Sequence, residues 1–163
     1  MEDMRKQILK YLEKNSRANI GELAVLLDSN EAAIANEIAQ MEKEKIICGY
    51  HTLIDWDKAG EERVNALIEV SVKPQRDKGF DKTAERICNY PEVTAVYLTS
   101  GGYDLIVTVE GKTLMEVSRF VSGKLSPIED VISTTTHFIL KKYKDHGTLM
   151  FHKNKSERMP VTP

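Results

Sequence analysis

The chain has 163 residues, of which 41% are apolar and 29% charged, a composition typical of one or two small globular domains. No apolar run approaches the roughly 18 residues of a membrane-spanning helix, and the charged N-terminus argues against a signal peptide, so we expect a cytoplasmic protein. The net charge of −2 is unevenly spread. Residues 1–60 and 61–140 are each mildly acidic, whereas residues 141–163 hold six basic and two acidic side chains.

Three short helices are predicted in the N-terminal part of the chain. Residues 4–14 place their apolar side chains on one stripe. Asn19 is a suitable N-cap for a second helix, in which apolar residues recur at i, i+3, i+4 and i+7 from Ile20. Asn30 can likewise cap a third helix over Glu31–Glu44. Because only a short turn separates the last two helices, the segment has helix-turn-helix proportions.

The following segment, Ile46–Ile54, has Gly49 between two short apolar stretches. Glycine permits a tight turn, so the sequence predicts a wing or hairpin attached to the helical module. We therefore assign residues 1–54 to a winged helix-turn-helix domain. The polar residues 55–63 are interpreted as a linker.

From Val64 the apolar period changes to two, which predicts a half-buried strand that ends at Pro74. Two helices and three strands follow, with Gly101-Gly102 as a hairpin turn. The resulting order, β-α-β-β-α-β, predicts an α+β fold of ferredoxin-like type, with a four-stranded antiparallel sheet and both helices on one face. The elements are expected at residues 79–89 (helix), 93–100 and 103–110 (strands), 113–125 (helix) and 131–143 (strand). This domain spans residues 64–145, and a basic tail spans 146–163.

The second face of such a sheet has no cover in a monomer. Its predicted residues include threonine, valine and leucine, which favour burial against a partner. A second copy of the same domain, related by a two-fold axis, is the simplest partner.

Metal, disulfide and catalytic sites are not predicted. Cys48 and Cys88 are far apart, and no Cys-x-x-Cys pair or neighbouring histidine gives them the spacing of zinc ligands. The histidines do not cluster with carboxylates or cysteines, and no phosphate-binding loop or dinucleotide fingerprint is present. We therefore expect no catalytic residue, no metal and no cofactor.

Four motifs in the right order resemble the Lrp/AsnC (leucine-responsive, feast/famine) family of regulators. The resemblance covers about residues 4–145. The motifs are the helix-turn-helix at 20–41, the segment Glu42–Tyr50 ending in Gly-Tyr, the run Ser100-Gly101-Gly102-Tyr103-Asp104, and Val131 followed by Thr134-Thr135-Thr136.

This resemblance implies a helix-turn-helix module joined to an amino-acid-sensing domain of RAM type. It also implies dimers that assemble further, often into rings, with an octamer expected. The effector would be a small amino acid bound between sensing domains. By match to the family motifs, the effector-binding residues would be Gly101, Gly102, Tyr103, Asp104, Thr134 and Thr136.

The turn offers a physical basis for such a site. Its backbone N–H groups could hold the carboxylate of an amino acid, and Asp104 or a threonine hydroxyl could take the ammonium. A plain hairpin turn would explain the same residues, since glycine and aspartate are common there. The family usually has Asp at the position of Gly102, so this chain lacks one carboxylate of the expected turn.

The third helix would read DNA through amide and methyl groups, since Asn and Gln can pair with adenine and Ala can touch the thymine methyl. Family members usually carry Arg or Lys on this helix, but here Asn36, Glu37, Ala39 and Gln40 stand at those positions. Glu31 and Glu37 would repel phosphates, and cations are few. The candidate DNA-binding residues are Asn30, Ala32, Ala33, Asn36, Gln40, Lys43 and Arg17, with help from the basic tail.

The sequence thus predicts a homo-oligomeric transcription regulator that binds double-stranded DNA and responds to a small amino acid, without a membrane partner. Two alternatives remain open at this stage. One is an enzyme resembling the sirohaem decarboxylases, which share the fold, although the predicted sensing domain is acidic and holds only His137. The other is a co-regulatory subunit that does not itself bind DNA.

Overall fold

A computed structural model describes residues 4–74 and 79–150. The chain divides into two compact units, Met1–Ile54 and Asp55–Pro163. No helix of the described residues is long and apolar enough to cross a membrane.

The first unit contains helices α1 (Met4–Lys14), α2 (Ile20–Leu26) and α3 (Glu31–Lys43). Both predicted N-caps are confirmed: the side chains of Asn19 and Asn30 accept hydrogen bonds from the first turns of α2 and α3. The apolar stripes of the three helices meet in one small core. Its fully buried members are Ile8, Leu23, Ala24, Ile34 and Met41.

The hairpin predicted in residues 46–54 is wrong, because none of these residues pairs in a strand. The reason lies at the end of α3. Lys45 adopts a left-handed conformation with φ of 59°, and the N–H groups of Ile46 and Ile47 both donate to the carbonyl of Met41. The start of the segment therefore closes the helix instead of forming a strand.

The predicted linker begins with a helical turn, α4 (Trp56–Ala59), capped by Asp55 and ended by Gly60 in the left-handed conformation. The guanidinium of Arg63 lies 3.6 Å from the centre of the Trp56 ring and bonds Glu110 at 2.6 Å. Part of residues 55–63 is thus attached to the second unit.

The second unit contains β1 (Val64–Val72), α5 (Asp81–Cys88), β2 (Val93–Leu98), β3 (Leu105–Gly111), α6 (Leu114–Phe120) and β4 (Val131–Phe138). One turn of π-helix, Val121–Leu125, continues α6. The antiparallel sheet has the order β2-β3-β1-β4. The ferredoxin-like prediction is confirmed.

Alternation along β1 sets the two faces of this sheet. Ala66, Ile68, Val70 and Val72 are buried, and their neighbours in the chain are half-buried. The buried side chains pack against α5, α6 and the π turn, which contribute Ile87, Val117, Phe120 and Leu125. The helices therefore cover one face only.

The C-terminal end differs from prediction. β4 ends at Phe138 and not at residue 143, because its partner β1 begins at Val64 and the last bond between them is from Ile139 N to Asn65 O. A small hairpin follows, with β5 (Lys144–Asp145) and β6 (Thr148–Leu149) joined by His146 and Gly147, both at positive φ. Most of the predicted basic tail, residues 151–163, lies outside the described residues.

Candidate nucleic-acid interface and ligand-binding residues

The exposed stripe of α3 holds the predicted DNA-reading residues. Ile34 and Met41 bury the opposite side of the helix. As a result Ala32, Asn36 and Gln40, four residues apart, lie exposed on one line. The stripe has uncharged hydrogen-bonding and methyl groups, which suit base edges better than phosphates.

The predicted cap and the predicted DNA contact of Asn30 compete for the same side chain. Its Oδ1 accepts a hydrogen bond from Ala33 N at 2.8 Å, so the oxygen is committed to the helix cap. Ala33 is half-buried beside it. Both residues position α3, and Ala32 and Asn36 are better placed to face a partner.

Glu37 of α3 and the C-cap residue Glu44 are paired with a cation within the unit. Arg5 of α1 forms ion pairs with Glu37 and with Glu44, the latter at 2.8 Å. Hydrogen bonds from Arg5, which has the larger effect, and from Gln40 hold the pKa of Glu44 below its usual value. Glu37 is thus less repulsive to DNA than the sequence alone suggests, and the charge of Arg5 is engaged by the two carboxylates.

Gln40 is also engaged. Its Nε2 donates to Glu44 Oε1 at 2.6 Å, so reading of a base by Gln40 would require this bond to break. Lys43 and Arg17 are exposed, and neither forms an ion pair with any described residue. They are the predicted DNA contacts with a free charge.

The predicted effector turn is a longer connection than a two-residue hairpin. β2 ends at Leu98 and β3 starts at Leu105, and Thr99 N donates to Asp104 O at 2.8 Å to close the loop. The hydroxyl of Thr99 also donates to the carbonyl of Tyr103 at 3.1 Å. Gly101 and Gly102 are exposed, and added Cβ atoms there would meet nothing within 4 Å. The open space around them leaves room for a ligand.

Asp104 is tied to the neighbouring strand. Its Oδ2 accepts a hydrogen bond from Val72 N at 2.8 Å, and its own N–H donates to Val70 O at 3.1 Å. The carboxylate therefore extends the β1–β3 ladder past its last backbone pair. This structural task competes with the predicted contact to an ammonium group.

We expect Asp104→Ala to lower the free energy of unfolding by about 1–3 kcal/mol, because the substitution leaves the Val72 N–H without its hydrogen-bond acceptor. Thermal and urea unfolding without ligand measure this loss. Asp81→Ala, at an exposed position of α5, is the matched control. An Asp104 variant as stable as the control would contradict the structural task.

Thr134 and Thr136 lie on the helix-covered side of the sheet. They pair with Val70 and Ile68, and residues opposite one another in an antiparallel pair share a face. Thr134 Oγ1 lies 3.2 Å from Ser126 Oγ. Since Val70 also pairs with Leu105, Thr134 and the turn flank the same end of β1.

The sheet face without helices is called the open face here. Its apolar centre consists of Leu67, Tyr97 and Ile106, with Tyr97 59% exposed. Glu69 and His137 form a pair on it at 3.3 Å. The other residues that the register places on this face are Asn65, Ser71, Ala95, Thr108, Glu110, Ser133 and Thr135.

Sequence reasoning missed several of these relations. The Arg5–Glu37–Glu44 network joins residues more than thirty positions apart, and no local pattern signals it. The β5–β6 hairpin had a signal in Gly147, which follows a polar turn. Within residues 4–74 and 79–150, no group of three or more His, Cys, Asp or Glu residues could hold a metal ion.

The chain is similar to known proteins over most of its length. A model of the Lrp/AsnC ligand binding domain matches residues 65–149. The HTH-type transcriptional regulator YugG of Bacillus subtilis (strain 168) is 46% identical over 158 residues, which are 96% of this chain and 95% of that protein.

Two solved structures have the same fold. PH0061 has a TM-score of 0.74 at 26% identity, with 89% of this chain and 96% of that chain covered. The NMB0573/L-Met complex from Neisseria meningitidis has a TM-score of 0.70, with 89% and 93% covered. Its identity is 22%, so it supports the fold alone.

Proposed function

The chain belongs to the Lrp/AsnC family of helix-turn-helix transcriptional regulators, and from that premise we propose that it binds double-stranded DNA through α3 and responds to a small amino acid. The observation that carries the DNA proposal is the exposed stripe of Ala32, Asn36 and Gln40 on a helix capped by Asn30. We assign DNA binding to residues 1–54, the connection to 55–63, and effector binding and self-association to 64–145. Residues 146–163 would be the basic tail.

Phosphate contacts are proposed for Arg17 and Lys43, the two predicted cations whose charge is not used within the unit. Two phosphate contacts per module give weak affinity. Several modules held together by self-association would raise it by effective concentration. We therefore propose that the protein acts on DNA as a homo-oligomer, a dimer or an octamer, in the cytoplasm.

Self-association is proposed through the open face. Leu67, Tyr97 and Ile106 form an apolar centre with polar residues around it, the anatomy of a protein interface. A two-fold pairing would bury this centre against itself.

The amino-acid effector is proposed to bind at Gly101, Gly102 and Tyr103, next to Thr134. The support is the open space at the two glycines, together with the match of residues 65–149 to the Lrp/AsnC ligand binding domain. Asp104 would shape the turn, and Thr136 would support the strand from the helix-covered side. The effector would change assembly or DNA affinity by binding one state more tightly than another. We propose regulation without catalysis, a metal or a cofactor, because the similar proteins are named as regulators.

The test is fluorescence anisotropy of the full chain on duplex DNA from upstream of its own gene, over a range of salt concentrations. Asn36→Ala is expected to weaken binding to the specific site by about 1–3 kcal/mol, the range for a side chain that reads a base. Asn89→Ala, in the other unit, should bind like the parent. Absence of salt-sensitive binding by the parent would overturn the DNA proposal and favour the co-regulatory alternative.

A further inference from the structure

A second candidate ligand site lies far from the 101–104 turn. A cavity of about 270 Å³ is found where α6 and the π turn face the end of β3 and the start of β2. Its lining includes Val109, Gly111, Glu116, Arg119, Lys124 and Glu92. The turn precedes Leu105 and the cavity adjoins Gly111, so about 20 Å of strand separates them at the rise of an antiparallel strand.

Three of the charged side chains at this cavity already have partners, and one of them is Glu110, which is bound by Arg63 at 2.6 Å. Glu116 Oε2 accepts the N–H of Lys112 at 2.7 Å, and Glu116 N donates to Thr113 Oγ1 at 3.1 Å. These two bonds resemble a capping box, except that Glu116 accepts from the residue before the N-cap, and they hold the start of α6. Lys124 binds Glu92 Oε1, and its ammonium lies 5.8 Å from the centre of the Tyr90 ring.

One carboxylate oxygen and one guanidinium at this cavity have no partner among the described residues. Glu92 Oε2 is shielded from solvent, and no described group donates a hydrogen bond to it. The hydrogen bond from Lys124 keeps the pKa of Glu92 below its usual value in spite of burial, so this carboxyl is ionised at neutral pH. Arg119 lines the same cavity and has no ion-pair partner among the residues that the structure describes.

The floor of the cavity is apolar and closely packed. Val109, Val117 and Phe120 are almost completely buried. Gly111 allows α6 to approach, because a Cβ at this position would lie 3.1 Å from Val117 Cγ2. Pockets for drug-sized ligands measure about 300–1,000 Å³, so this cavity suits a smaller molecule.

We propose that this cavity is an amino-acid site separate from the 101–104 turn, which takes a small zwitterion with an apolar side chain. Arg119 binds the ligand carboxylate, Glu92 accepts from its ammonium, and the apolar floor receives the side chain. The inference rests on the proposed response to amino acids and gives it a second location. It does not depend on DNA binding.

The binding experiment is calorimetric titration of the full chain with L-leucine, L-isoleucine, L-methionine and L-phenylalanine. At least one is expected to bind, and Arg119→Ala and Glu92→Gln should each weaken that binding about tenfold or more, as for loss of one charge-assisted hydrogen bond. Arg86→Ala and Glu129→Gln, at exposed positions away from the cavity, are the matched controls. The N-acetyl and methyl-ester forms of the ligand, each lacking one charge, should bind more weakly than the free amino acid.

Hydrogen–deuterium exchange of the unmodified chain locates the ligand without relying on variants. Residues 109–124 are expected to gain protection when the same amino acid is added. Protection confined to residues 99–105, with unchanged binding by the Arg119 and Glu92 variants, would overturn this inference and leave the proposed function intact. If none of the four amino acids binds, the inference fails, and a thermal-shift screen of the remaining amino acids tests the proposed response by itself. Equal binding of the N-acetyl form would exclude a zwitterion site.

Discussion

Replacing Ile34 by alanine is expected to abolish DNA binding by unfolding the helical unit while the second unit stays folded. Ile34 is fully buried in the core formed by α1, α2 and α3. Removing such a side chain costs about 2–5 kcal/mol. At about 0.05–0.15 kcal/mol per residue, a unit of this length has a total stability of roughly 3–8 kcal/mol, so this one cavity removes much or all of it.

In calorimetry of the full-length Ile34→Ala chain, the helical unit should unfold in a separate transition at a lower temperature than the second unit. Anisotropy on duplex DNA should lose its salt-sensitive binding at the same temperature. Val25→Ala is the matched control, because Val25 lies in the same unit and is 85% exposed. If Ile34→Ala melts in one transition together with the second unit, the two units are not independently stable and this prediction is wrong.

Replacing Ile106 by glutamate should produce monomers if the open face is the surface of self-association. Ile106 pairs with Glu69 on β1 and with Tyr97 on β2. A carboxylate there would face Glu69 directly, and closing the interface would bury both charges without a new partner. Several kcal/mol of lost association energy corresponds to an increase of about 100-fold or more in the dissociation constant.

Sedimentation or light scattering over a range of protein concentrations measures this effect. Met115→Glu places the same charge on α6, where Met115 is 60% exposed, and should leave the assembly unchanged. Ile106→Gln, polar but uncharged, should have a smaller effect than Ile106→Glu. An Ile106→Glu protein that keeps the parent's mass would show that the interface is elsewhere.

The helix-turn-helix shows how tertiary contacts change the interpretation of a charge pattern. Glu37 on α3 is unfavourable for binding DNA when the sequence is considered alone. The structure pairs it with Arg5, and Glu44 shares the same guanidinium. The pair removes a repulsive charge and also one of the few cations, so we expect affinity for DNA to depend more on Arg17, Lys43 and self-association.

Local sequence patterns determined much of the fold. The caps at Asn19 and Asn30, the alternation of β1 and the order of the elements could all be predicted, because each depends on side chains within a few residues. Capping satisfies backbone groups of the same turn. Alternation follows from the pleat of a single strand.

Contacts between distant residues decided the remainder. Residues 46–54 have strand-like composition but no pairing, because a strand is stable only with a partner and the end of α3 takes their first N–H groups. The length of β4 depends on where β1 begins, and the face of Thr134 depends on its register with Val70. Asp104 is a free turn carboxylate in the sequence-based prediction, whereas the structure places Val72 beside it. Register and pairing are properties of two segments at once, so only the tertiary structure could assign them.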